Sequence, residues 1–201
     1  MHLPSLVLGG PTVLASRLNL AAIVFIGGLD VVAVRIFAAA GTRSGKDRRT
    51  FQLIQVVQLA AVLGGLVIAD RLPGAHLPGS PYAWVGAGLG FMIGGALLRA
   101  WAIATLGQRF RRVVTIDPDH EVVSSGPYRW LRHPAYAGAI ASLLGLGLAL
   151  DNVLALAVLA VLPVTAYLVR IRVEEAALAE GLGEDYTSFA VRRKRLVPYV
   201  Y

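Results

Sequence analysis

Runs of about twenty apolar residues, separated by short polar segments, constrain this chain more than any other feature. A bilayer-crossing helix needs about 20 mostly apolar residues. In lipid the backbone can satisfy its hydrogen bonds only within helices or closed barrels. The first run covers residues 18–40 and is interrupted by Asp30 and Arg35. The second covers 51–69, with only Gln as a polar side chain, and the third covers 82–106, with Arg99 near its end. Two shorter runs, 136–150 and 153–169, are split by Asp151-Asn152 and read as two thin spans or a tilted helical hairpin, two spans being favoured. These runs predict an all-α, polytopic transmembrane helical bundle of about five spans. The whole of 1–201 reads as a single membrane domain, with N-terminal spans in 1–106 and a second half in 107–201.

Composition agrees. Only 15% of residues are charged and mean hydropathy is +0.65, where a soluble domain carries about 25% charged residues. The absence of Cys excludes disulfides, thiolate metal sites and a cysteine nucleophile. A bias toward Ala, Gly, Val, Leu and Arg, with two Lys in all, fits a GC-rich bacterial genome and hence a bacterial inner membrane.

The net charge of +7 invites a nucleic-acid reading, but the placement of the charges argues for a membrane. Fifteen of the nineteen basic residues fall in three segments: Arg43, Lys46, Arg48 and Arg49; Arg109, Arg111, Arg112, Arg129 and Arg132; and Arg170, Arg172, Arg192, Arg193, Lys194 and Arg195. Five spans with the N-terminus outside place all three in the cytoplasm, as the positive-inside rule requires. Basic residues so placed meet anionic headgroups, and no nucleic-acid partner is expected. The lack of a basic segment before the first long run makes a cleaved signal peptide unexpected.

Some polar residues inside the runs need a reason. Arg35 and Arg99 lie near cytoplasmic ends and are expected to snorkel. Asp30 is deeper, one helical turn from Arg35, and a partial pair is expected. Gly86, Gly90 and Gly94 recur at every fourth position and predict a helix-packing seam.

The loop from 107 to 136 differs in kind. It is too long for a connector in a compact bundle. It carries His120, His133, Tyr128, Trp130 and the turn signals Asp117-Pro118-Asp119 and Ser125-Gly126-Pro127. Pro134 suits the first position of a helix, which leaves His133 at a helix entrance that would welcome an anionic group. Past the last run, Arg170 and Glu174 share a helix face, and an ordinary interfacial ion pair is the simplest reading of that spacing. The segment from Gly183 to Tyr186 reads as a turn into a basic helix, whose residues 192–195 are expected to contact headgroups.

Taken together, these residues resemble the isoprenylcysteine carboxyl methyltransferase family. The resemblance rests on the segment 120–128 ending in Gly126-Pro127-Tyr128, on Arg132-His133-Pro134-Ala135-Tyr136-Ala137-Gly138, and on Arg170 followed by Glu174-Glu175 and a Leu-Gly-Glu-Asp-Tyr tail. It covers roughly residues 105–198. It implies an S-adenosylmethionine-dependent methyltransferase, with a cytoplasmic cofactor-binding loop and a C-terminal helix. Carried over by position, His120, Glu121, Val122, Val123, Tyr128, Arg132, His133, Pro134, Ala135, Tyr136 and Glu174 would bind the cofactor. Arg170 and Glu174 would be catalytic, Arg170 facing the acceptor, and no metal is implied. Where the family often has a Gln, seven residues before its first loop His, this chain has Val113, and Gln108 is the nearest substitute.

A carboxylate acceptor is already nucleophilic at neutral pH. An amine or hydroxyl acceptor would need a base, for which Glu174 or His133 would serve. A lipophilic acceptor entering from the bilayer is the expected partner. Two other readings remain at this stage. One is an NADPH-dependent membrane reductase of the sterol type, with residues 192–195 on the 2′-phosphate. The other is a non-enzymatic membrane protein on the same scaffold, related to denitrification-associated proteins.

Overall fold

A computed structural model describes residues 45–107 and 122–197. The expected first span at 18–40, with Asp30 and Arg35, lies outside the described residues, as do Gln108, Val113, His120 and Glu121.

The described residues form helices with no sheet. Helix α1 is Gly45–Arg71, α2 is Pro81–Leu106, α3 is Pro134–Ala149 and α4 is Val153–Val191, and a 3-10 turn at Gly126–Arg129 precedes α3. Three of the four (α1 from Gln52 on, α2 and α4) are long and apolar enough to cross a membrane, whereas α3 has 16 residues. At about 1.5 Å per residue α3 is roughly 24 Å long, somewhat short of a hydrocarbon core of about 30 Å. Helices α3 and α4 make an antiparallel pair joined by Leu150, Asp151 and Asn152. Along α1 and α2, large apolar side chains such as Val56, Leu59, Val67, Ile93 and Leu97 point outward. A water-soluble bundle would not display so continuous an apolar surface; lipid is its solvent, and the protein is an integral membrane protein.

Helix ends follow local chemistry. Pro81 and Pro134 each occupy the opening turn of a helix, where a missing N–H costs nothing. The Asn152 side chain accepts from the backbone N–H groups of Leu154 and Ala155, capping α4, and donates to the Leu72 carbonyl at 2.8 Å. Asp151, in the left-handed region at φ 48, accepts from the Leu77 backbone N–H and pairs with His76 at 3.2 Å. The 72–77 connection is thereby pinned to the α3–α4 turn. At Gly183 (φ 53, ψ −124) the backbone of α4 leaves helical geometry before resuming, so the turn expected at Gly183 is a kink inside one long helix.

The close approach of α2 to α3 corrects the expected seam. Gly86, Gly90 and Gly94 face open space. The contact instead runs along Gly88 and Gly95 of α2 and Gly138 and Gly145 of α3. A Cβ on Gly95 would sit 2.5 Å from the Gly138 carbonyl oxygen, and one on Gly88 2.6 Å from the Gly145 oxygen. Residues seven apart return to the same face after two turns, so the 88/95 pair marks the buried stripe, while the more regular row at 86/90/94 lies off it. All four helices then meet in one apolar core, in which Ala61, Met92, Leu146 and Leu159 are buried together.

Arg99 also departs from expectation. Rather than snorkelling, it donates to the Ala135 carbonyl at 3.1 Å and ties the end of α2 to the first turn of α3.

Candidate active site

The polar residues converge at one end of the bundle, away from the Asp151–His76 end. Gly126 starts the convergence. At φ 55 it turns the chain sharply, and any Cβ there would strike the Thr105 side chain. This turn sends Tyr128 into a buried cluster with Ala102, Ala135, Tyr186 and Phe189, against which Val122 and Val123 pack. Burial, reinforced by the Glu174 carboxylate and only partly offset by Arg99, pushes the Tyr128 phenol far above its usual range, so it stays protonated.

The next residues are held by the C-terminal tail. Leu131 and Lys194 form a parallel bridge. The Arg132 backbone N–H donates to the Lys194 carbonyl at 2.8 Å, and the His133 N–H to the Arg195 carbonyl at 3.0 Å. The Arg132 side chain donates to the Arg193 carbonyl at 2.9 Å. His133 is therefore at the entrance of α3, as its sequence position suggests, but its own N–H is taken by the tail rather than left for an anion.

Two carboxylates from α4 organise the rest. Glu174 accepts from the Tyr136 hydroxyl at 2.5 Å and pairs with Arg170 at 3.5 Å. A bond that short is charge-assisted, the stronger kind. Arg170, itself buried, also donates to the Tyr136 hydroxyl at 3.4 Å and to the Thr50 hydroxyl of α1 at 2.8 Å. The Tyr136 ring stacks on His133 (centroids 5.5 Å, planes 10° apart) and tilts against Tyr167 at 5.0 Å. The Arg170–Glu174 pair is thus part of a buried network spanning α1, α3 and α4, not an exposed interfacial pair.

Glu175 faces the other way. One of its oxygens accepts from Arg132 at 2.9 Å and lies 3.3 Å from His133 Nε2; the other accepts from Arg195 at 2.8 and 2.9 Å. Adjacent residues of one helix therefore split the work: Glu174 holds Tyr136 and Arg170, and Glu175 holds Arg132, His133 and Arg195. Arg193 donates to the Phe189 carbonyl and covers the Phe189 ring at 4.3 Å. Of the four tail residues expected at headgroups, two are used inside the protein, and Arg192 and Lys194 are exposed.

An apolar groove of about 770 Å³ is lined by Phe91, Trp101, Trp130, Ala137, Leu168 and Val197 among others, and its lining holds sequence neighbours of the network residues rather than those residues themselves. Trp101 and Trp130 meet edge-on at 6.1 Å. In sequence, Ala137 adjoins Tyr136 and Leu168 lies two residues before Arg170.

Of the residues singled out in the sequence, Val122, Val123, Tyr128 and Ala135 share one apolar cluster. Arg132 and His133 meet on Glu175, and Tyr136, Arg170 and Glu174 meet each other. Pro134 is a buried helix start. Sequence reasoning missed Glu175, Arg195, Thr50, Tyr167 and Tyr186 as members. The doubled carboxylate in an apolar helix was the available signal for Glu175; nothing local marked Thr50 or Tyr167.

Residues 88–180 match the model of the Isoprenylcysteine carboxyl methyltransferase (ICMT) family. Among relatives, the Arabidopsis thaliana protein named Protein-S-isoprenylcysteine O-methyltransferase B is 33% identical over 115 residues, covering 56% of this chain and 58% of that protein. A Bacillus subtilis relative, Uncharacterized protein YpbQ, is 32% identical over 84 residues, covering 42% and 50%. The chain spans about half the length of the curated relatives it matches. Its fold is similar to that of a solved structure described as the eukaryotic intramembrane Ras methyltransferase ICMT, with a TM-score of 0.59 at 20% identity, covering 99% of this chain and 68% of that one. The matched segment runs from α2 into α4 and contains Tyr136, Arg170, Glu174 and Glu175, whereas their partners Thr50 and Arg195 lie outside it.

Proposed function

We propose that this protein is an S-adenosylmethionine-dependent carboxyl O-methyltransferase whose acceptor is a lipophilic carboxylate such as a prenylated cysteine. The observation that carries this reading is the buried network of Tyr136, Arg170 and Glu174, with an apolar groove lined by sequence neighbours of these residues. The names of its relatives supply the acceptor class.

The residues fit the cofactor by their chemistry. Its amino-acid end is a zwitterion, and the cluster of Glu174 and Glu175 with Arg132, His133 and Arg195 offers both charge signs. Its adenosine is large and partly apolar, and Val122, Val123, Tyr128, Ala135 and Phe189 form an apolar wall. A carboxylate and aromatic rings suit a cationic sulfonium. His120 and Glu121 belong to the same proposed set.

When bound, S-adenosylmethionine supplies an electrophilic methyl group. Arg170 would orient the acceptor carboxylate, which is ionised at neutral pH and needs no base. Thr50, Tyr136 and Glu174 fix the Arg170 guanidinium, so alignment is set before the acceptor arrives. The apolar groove would take the acceptor's hydrocarbon chain and keep water from it. The basic residues Arg132, Arg170, Arg193 and Arg195 gathered at this end of the bundle support a cytoplasmic placement of the site, in the membrane of a bacterium by composition.

The reductase reading loses support because Arg195 and Arg193 are used within the protein rather than presented to a phosphate. Incubation with methyl-labelled cofactor and N-acetyl-S-farnesylcysteine should yield base-labile label released as methanol. Label that withstands base would contradict a carboxyl ester, and no transfer to any lipophilic carboxylate would contradict the reading.

A further inference from the structure

Tyr186 is 5% exposed, and its hydroxyl is buried with no hydrogen-bond partner among the described residues. A buried hydroxyl without a partner costs free energy and calls for an explanation. Phenylalanine would fill the same space without that cost, so packing against Phe189 at 6.1 Å does not account for the oxygen.

The surroundings of the hydroxyl are specific. Its ring belongs to the same buried cluster as Tyr128 and Ala135, with Val122 and Val123 packed on it, and these are four of the residues assigned to the cofactor. The charges of Glu175, Arg132, Glu174 and Arg195 all act on it. Two carboxylates and two guanidiniums are the complement of a zwitterion. The backbone of α4 leaves helical geometry at Gly183, three residues earlier, and Tyr186 beyond it packs in the cluster with Tyr128 and Ala135.

We infer that the Tyr186 hydroxyl is a further binding residue of this site, forming a hydrogen bond to the amino-acid end of the cofactor. The inference rests on the methyltransferase reading and gives a binding role to a tyrosine outside the set of site residues that the resemblance implied. A phenol can donate to a carboxylate, and such a bond replaces the missing partner when the ligand is bound.

Tyr186→Phe removes one oxygen and leaves the ring. Two ligands separate the possibilities in purified, detergent-solubilised full chain: S-adenosylhomocysteine, and 5′-methylthioadenosine, which keeps the nucleoside but lacks the amino-acid end. The expected result is a Kd for S-adenosylhomocysteine about tenfold weaker than wild type, the size of one hydrogen bond to a charged group. The affinity for 5′-methylthioadenosine should stay within about twofold. Without ligand, the variant should melt no lower than wild type. Unchanged affinity for S-adenosylhomocysteine, equal loss of both ligands, or a lower melting temperature without ligand would each overturn the inference while leaving the methyltransferase reading in place. A wild-type protein that binds neither ligand would overturn both.

Discussion

Glu175 and Arg195, twenty residues apart, are joined by two hydrogen bonds to a single carboxylate oxygen, at 2.8 and 2.9 Å. This contact closes the C-terminal tail over the entrance of α3, because the same tail accepts backbone N–H bonds from Arg132 and His133. Glu175→Ala would leave three basic side chains without their shared carboxylate in a half-buried setting. Removing one partner of a fully buried ion pair costs about 3 kcal/mol, and an exposed pair is worth about 1 kcal/mol or less, so the cost here falls between them. Glu175→Ala should therefore unfold at a clearly lower temperature in detergent, whereas Arg192→Ala, an exposed residue on the same tail, should not. Equal stability of the two variants would mean the tail is not fastened through Glu175.

The α2–α3 seam gives a paired test. Gly95→Val must drive a branched side chain into the Gly138 carbonyl and Ser142, and should destabilise by about 1–3 kcal/mol or more. Gly94→Ala, one residue away and facing open space, should be neutral or slightly stabilising, since Gly costs about 0.5–1 kcal/mol relative to Ala within a helix. Thermal unfolding of the two variants side by side measures the contrast, and a reversed order would place the seam on the 86/90/94 row instead.

At the other end, Asn152→Ala removes the cap of α4 and the bond to the Leu72 carbonyl. A lost cap costs about 1 kcal/mol, and the extra buried bond should add to this. Because this end is remote from Glu174 and Glu175, the ligand affinity of the folded protein should be unchanged. A loss of affinity equal to that of a site variant would show that the two ends are coupled.

Tyr136→Phe tests the network itself. It removes the hydroxyl shared by Glu174 and Arg170 while preserving the stacking on His133 and Tyr167. Methyl transfer should fall about 10- to 100-fold with the protein still folded, since misaligning a reacting group by as little as 1 Å can cost about a hundredfold. Wild-type turnover in this variant would remove Tyr136 from the proposed machinery.

The helices were legible because apolar length is a local property. The expected runs at 51–69 and 82–106 fall within Gly45–Arg71 and Pro81–Leu106. The turn at Gly126 and the helix start at Pro134 were also legible, since glycine and proline fix backbone geometry by themselves. What failed depended on rotation and neighbours. Which glycine row faces α3 is set by the azimuth of α2, and Arg99 appeared to be a snorkelling residue until α3 supplied the Ala135 carbonyl. Arg195 read as a headgroup contact because its partner, Glu175, lies on another segment brought near only by the kink at Gly183 and the bridge at Leu131. Thr50 reaches Arg170 across 120 residues, a contact that no local pattern announces.

The central claim is that this end of the bundle binds S-adenosylmethionine. Its most direct test follows the thermal stability of the purified full chain during titration with S-adenosylhomocysteine and, separately, NADPH. Ligand binding to the folded state alone raises stability by about 2.7 kcal/mol at a hundredfold excess over Kd. The account predicts a saturable rise in melting temperature with S-adenosylhomocysteine, abolished by Glu174→Ala, and none with NADPH. A rise with NADPH alone, or no rise with either in folded protein, would contradict it.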